Sequence, residues 1–229
     1  MHPIYNMMSF FKKLFEKKKE KEIISDDDFT QDQYDRDYEL KQQGLENVLG
    51  KMHNTVGHAV VPFYLGGSVD LYYFSNHIDG TGIATMELLD PNGNGPKPNR
   101  LGTYELVAFT REPYNTEEDS NTAFKLMESR ICNIFTAIGN YSFNTVLNPN
   151  STYQASTEQG DRRYIIFDNY TPENKIFKIG ERNHHLLLCM DIFSSELDFA
   201  KLNGSNQLFT LLKKAGHYPY SDLNRESVA

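Results

Sequence analysis

Tryptophan is absent from these 229 residues, and cysteine occurs only twice. Two cysteines, Cys132 and Cys189, do not make a disulfide framework, and no zinc-type spacing is present. Both lie among apolar neighbours, which points to buried free thiols and a reducing, cytoplasmic setting. No run of 18 or more apolar residues occurs, so no transmembrane helix is expected. The short N-terminal apolar cluster precedes its lysines instead of following them, the wrong order for a secretory signal. Basic charge is also in deficit, with 23 Lys and Arg against 31 Asp and Glu. Residues 1–24 hold six lysines and three glutamates, a net of +3, so the remainder carries −11 of the total −8. Such a domain repels phosphate backbones, which argues against direct nucleic-acid binding. The same field would attract a basic protein, or would simply keep the chain in solution.

What the chain does hold is aromatic area, as 14 Tyr and 15 Phe. Rings with a polar handle suit both cores and protein interfaces. Residues 1–35 read as an appendage. Met7, Met8, Phe10, Phe11, Leu14 and Phe15 make a short apolar face followed by the mixed run Glu16–Glu22. That face is a candidate for membrane contact, but at about two turns it suits a docked or solvated tail better. Residues 36–229 read as one domain. A helix is expected over about 36–53, from Leu45, Val48, Leu49 and Met52. Strands follow at 59–65, 68–75, 82–89 and 103–111, separated by Gly66-Gly67, Asp79-Gly80 and a Pro/Gly/Asn-rich loop at 90–100.

A second helix is expected over about 120–138, with Ser120 or Asn121 as its cap and Gly139 as its stop. Its apolar face is Phe124, Met127, Ile131, Ile134, Phe135 and Ile138. Strands resume at 163–168 and 185–193. Leu186–Met190 is apolar on both faces, as a central strand should be. Two short helices close the chain, split at Asn203-Gly204 with Ser205 as the second cap. The sum is α+β: a mixed, largely antiparallel sheet packed against several α-helices.

Chemistry-bearing residues are few. Glu87 and Glu105 interrupt apolar strands. Two carboxylates on adjacent strands can serve as acid and base. They can equally face solvent or pair with Arg111, Arg163 or Arg182. His184 and His185 are adjacent, so a strand sends them to opposite faces, away from any shared ion. Asp90–Gly95 resembles a calcium loop faintly, but Pro91 and the missing terminal glutamate argue against it. The glycine pairs at 80/82 and 93/95 lack the third glycine and the lysine of a nucleotide loop. No metal or cofactor is implied. Asn76, His77 and Asp79 follow the aromatic strand Tyr72-Tyr73-Phe74, where a turn on a rigid scaffold can carry recognition.

The segments Asn76–Leu88, Leu101–Arg111 and His184–Ala200 resemble the Suppressor of Fused domain family. The resemblance covers about residues 45–225 and implies binding of proteins without catalysis. Animal members hold a transcription factor as an extended peptide between two lobes. Compact bacterial members act largely as immunity proteins that neutralise toxins, many of them basic nucleases. The resemblance therefore implies a protein partner, either a basic toxin domain or an extended peptide. Candidate contact residues are Tyr72, Asn76, His77, Asp79, Glu87 and Glu105. Three readings follow: a toxin-sequestering immunity protein, a peptide-capturing adaptor, and a hydrolase using Glu87 and Glu105.

Overall fold

The computed structural model describes residues 31–117, 120–156 and 162–229. Among them run helix α1 (Gln31–Leu49), strands β1 (Val56–Gly57), β2 (Leu71–Phe74), β3 (Thr81–Ala84) and β4 (Thr103–Thr110), then α2 (Ala123–Ser142). Strands β5 (Thr152–Ser156), β6 (Arg162–Asn169), β7 (Phe177–Ile179) and β8 (Arg182–Ile192) follow, then α3 (Ser194–Asn203) and α4 (Ser205–Lys214). The expected N-terminal apolar face falls outside the described residues.

The strands form one mixed sheet in the order β1-β2-β3-β4-β8-β6-β5, with β7 paired to the start of β8. Every pairing is antiparallel except β4 with β8, which sets Thr103 beside His184 and Val107 beside Leu188. That parallel join is central. All eight residues of β4 are buried, as are His184–Ile192 of β8. Burial on both faces requires helices on both sides of the sheet.

One face carries Tyr72, Val107, Phe109, Leu188 and Met190 against Leu45 and Leu49 of α1, Leu197 of α3, and Leu208 and Leu212 of α4. The other carries Tyr73, Ile83, Leu106, Leu187 and Phe167 against Phe124, Ile131, Phe135 and Ile138 of α2. Each such side chain contributes about 1.5–3 kcal/mol of burial, and truncating Phe135 to Ala would cost roughly 3–5 kcal/mol.

Several local expectations need correcting. Among the described residues helix α1 covers Gln31–Leu49, so it is already helical before the expected 36 and stops short of the expected 53. Gly44 sits where α1 approaches β7, and a Cβ there would lie 2.3 Å from the Phe177 ring. Thr122, not Ser120 or Asn121, caps α2 by accepting from the Lys125 N–H. Gly139 does not stop α2. It lies inside the helix, where a Cβ would press on Phe63. Ser205 does not cap α4, since its Oγ donates to the Asn150 carbonyl at 2.6 Å. Residues 59–65 form no strand. They run irregularly into a short 3-10 turn at Phe63–Leu65. Pro62 supplies no ladder donor there, which is the physical reason the run fails as a strand.

Candidate functional site

A cleft of about 1030 Å³ opens where α1, the 58–64 segment and the 85–94 segment meet. Tyr34 and Tyr38 reach it from successive turns of α1, their rings stacked at 6.4 Å. Tyr38 meets the Tyr72 ring edge-on at 6.3 Å, carrying the aromatic row down to the sheet. The Tyr72 hydroxyl donates to Glu87 at 2.5 Å. Burial, then the Glu87 charge, raises Tyr34 to about 12 and lifts Tyr72 further. These phenols therefore stay neutral donors at physiological pH.

The cleft lining is acidic. Among the described residues Asp37, Asp70, Glu87 and Asp90 face it against a single lysine, Lys41. Lys41 is itself buried, 3.1 Å from Asp37 and 3.5 Å from Glu105, and it donates to the Leu89 carbonyl. His58 adds a contact to Asp70 at 2.8 Å, and Asp70 also accepts from the Ala59 N–H.

Beside the acids stands an apolar rim. Val60 is fully exposed, Tyr64 and Leu65 are 84% and 61% exposed, and Val61 and Phe143 about half. Solitary exposed apolar residues are ordinary on a surface. Here four exposed apolar residues fall within six consecutive positions, next to the carboxylates of the cleft. A second cleft of about 510 Å³ adjoins it, lined by Tyr73, Tyr114, Lys125, Glu128 and Cys132, and shares His58, Ala59 and Val69 with the first.

The six candidate residues fall at opposite ends of the β2–β3 hairpin. Glu87 lines the large cleft, whereas Tyr72 is buried at 1% exposed and touches the cleft lining through its hydrogen bond to Glu87 and its ring contact with Tyr38. Glu105 lies behind it, fully buried. It accepts from Thr85 Oγ1 at 2.7 Å and from the Leu88 and Leu89 N–H groups at 3.2 and 3.4 Å. Burial raises its carboxyl, while Lys41, Thr85 and those N–H groups pull the other way. Among the described residues neither glutamate pairs with Arg111, Arg163 or Arg182. Glu105 pairs with Lys41 of α1, and its burial takes it out of reach of a substrate.

Asn76, His77 and Asp79 lie at the far end of the hairpin. His77 Nε2 contacts the Tyr170 hydroxyl at 2.8 Å and its ring packs against Phe109, so this side chain is largely a packing element. Burial, then Lys175, lowers its pKa. The Asp79 carbonyl accepts from the Tyr220 hydroxyl, and the residues Asn76 and Asp79 are exposed. His184 and His185 do face opposite sides of the sheet. His184 meets Thr103 and Phe177, and His185 meets Asn99 and Tyr104. Among the described residues no group of three or more His, Cys, Asp and Glu is placed to hold a metal.

The solved structure of the Sufu-Fu complex matches with a TM-score of 0.52 and 13% identity, over 85% of this chain and 91% of that chain. The fold is Suppressor of Fused-like. No protein-family model matches the sequence, and no curated protein matches it. At this identity the likeness speaks to the Suppressor of Fused-like architecture alone. Among the described residues no helix is long and apolar enough to cross a membrane.

Reading the sequence alone missed Tyr34, Tyr38, Asp37, Lys41 and the 60–65 rim. The i, i+4 spacing of Tyr34 and Tyr38 was an available signal, as was Pro62 inside the supposed strand.

Proposed function

We propose that this is a non-enzymatic protein-binding domain, and that it works as an immunity protein sequestering a basic toxin. The observation that carries the reading is the exposed apolar segment Val60–Leu65 set beside the four-carboxylate cleft. A buried apolar anchor within a charged rim is the usual anatomy of a protein interface. The excess of −11 over residues 25–229 favours encounter with a basic partner. The structural neighbour was solved as a Sufu-Fu complex, so its fold has been seen with a protein partner.

A peptide-capturing adaptor is the second reading, favoured by strands β1 and β5 standing at the two ends of the sheet order. An edge strand can accept another chain through backbone hydrogen bonds. The hydrolase reading loses its proposed pair, because Glu105 is sealed behind Lys41.

The test begins by capturing tagged protein from its host at low salt and at about 0.5 M salt, where surface attraction is screened. The captured partner is then expressed with and without this chain. The expected result is a stoichiometric, salt-weakened complex whose partner is toxic alone and harmless with this chain. Loss of protection in Val61→Asp or Tyr64→Ser would place the contact on the rim. A partner with no toxicity overturns the immunity reading. Salt-independent binding of several extended peptides supports the adaptor.

A further inference from the structure

The cleft has a candidate occupant within the same polypeptide. Gln31, the first described residue, is part of the cleft lining. Lys21 precedes Gln31 by ten residues, which span up to about 35 Å when extended. That is enough to turn back across a cleft of this size. The chemistry also matches. Lys12, Lys13, Lys17, Lys18, Lys19 and Lys21 oppose Asp37, Asp70, Glu87 and Asp90. Met7, Met8, Phe10, Phe11, Leu14 and Phe15 oppose the exposed Val60, Val61, Tyr64 and Phe143.

We propose that residues 7–21 dock in cis on the acidic cleft and its apolar rim, and that an incoming partner must displace them. A short tether supplies an effective concentration of about 1 mM. An intrinsic affinity of only about 0.1 mM would then keep the cleft roughly 90% occupied, and a competing partner would bind about tenfold more weakly. The inference goes beyond the toxin reading. It depends on the cleft alone and holds for any partner using that surface.

Zero-length carbodiimide cross-linking of the full-length protein tests it. Equal amounts of unlabelled and ¹⁵N-labelled chains are mixed, cross-linked, digested and read by mass spectrometry. The expected products join the lysines at 12–21 to Asp37, Asp70, Glu87 or Asp90 within one isotopic chain. They should fall at least fivefold at about 0.5 M salt and in Phe10→Asp/Phe11→Asp, a change outside the described fold. Hydrogen exchange over 58–64 and 85–94 should speed up in the same variant. Lys125 and Glu128, 2.9 Å apart, provide the internal control for reactivity. The control link without the cleft links overturns the proposal. So do links spread equally to Glu117, Glu181 and Glu226. Mixed-isotope links alone would assign the cleft to a second copy and overturn docking in cis.

Discussion

Lys41→Met should be among the most damaging single changes outside the apolar core. Lys41 Nζ lies 3.5 Å from Glu105 and 3.1 Å from Asp37, with its own side chain 3% exposed and that of Glu105 0%. Removing the ammonium leaves Glu105 buried against three neutral donors, Thr85 Oγ1 and the Leu88 and Leu89 N–H groups. Breaking a buried ion pair from one side costs about 3–5 kcal/mol, because the remaining charge keeps its desolvation penalty. In a chain of this size each kcal/mol lowers Tm by roughly 2–4 °C, so the drop should be about 6–20 °C. Glu105→Gln should cost less, about 1–2 kcal/mol, because Asp37 and the Leu89 carbonyl still hold the lysine. The double variant should be milder than Lys41→Met alone, with a coupling of about 2 kcal/mol. Burial raises the Glu105 carboxyl, and more so without Lys41. The folded state then binds the proton more tightly than the unfolded state. The loss should therefore be largest at pH 7 and shrink toward pH 5. Urea unfolding at both pH values, with m unchanged, measures this. A loss under about 1 kcal/mol at pH 7, or additive effects in the double variant, would refute the reasoning.

The His185 pKa is lowered from 6.5 to about 4 by burial, so an unfolded chain takes up its proton first as pH falls. Stability should decline from pH 6.5 to 4 by roughly 3 kcal/mol from this group, and the difference curve against His185→Gln should isolate it; parallel curves would reject this. Gly44→Ala should destabilise by about 1–3 kcal/mol through the Phe177 clash, despite a helix-propensity gain of about 1 kcal/mol, and a rise in the urea midpoint would contradict it. Arg225→Met should cost about 3–5 kcal/mol in chemical denaturation, since Arg225 grips the buried Glu196 through two nitrogens at 2.6 and 2.9 Å. Tyr64→Ser and Leu65→Ser should leave stability within about 0.5 kcal/mol while weakening partner binding by about 2 kcal/mol, measured by titration calorimetry.

The sequence by itself determined the class of fold. The apolar face from Phe124 to Ile138 specified a helix, because residues three and four apart share one side of it. Leu186–Met190 specified a central strand, because apolar residues on both faces need cover on both. Gly204 divided the last two helices. These signals act within a few residues of chain, so they survive without tertiary context. Tertiary structure alone decided that β4 joins β8 in parallel, that Glu105 meets a lysine 64 residues earlier in sequence, and that Val60–Leu65 stays exposed. It also separated the candidate residues, placing Glu87 on the cleft, burying Tyr72 and Glu105, and leaving Asn76, His77 and Asp79 at the hairpin's other end. The physical reason is range. Periodicity and turn chemistry are local, whereas ion pairing and exposure depend on which distant elements pack together, and composition and spacing alone carry no record of that packing.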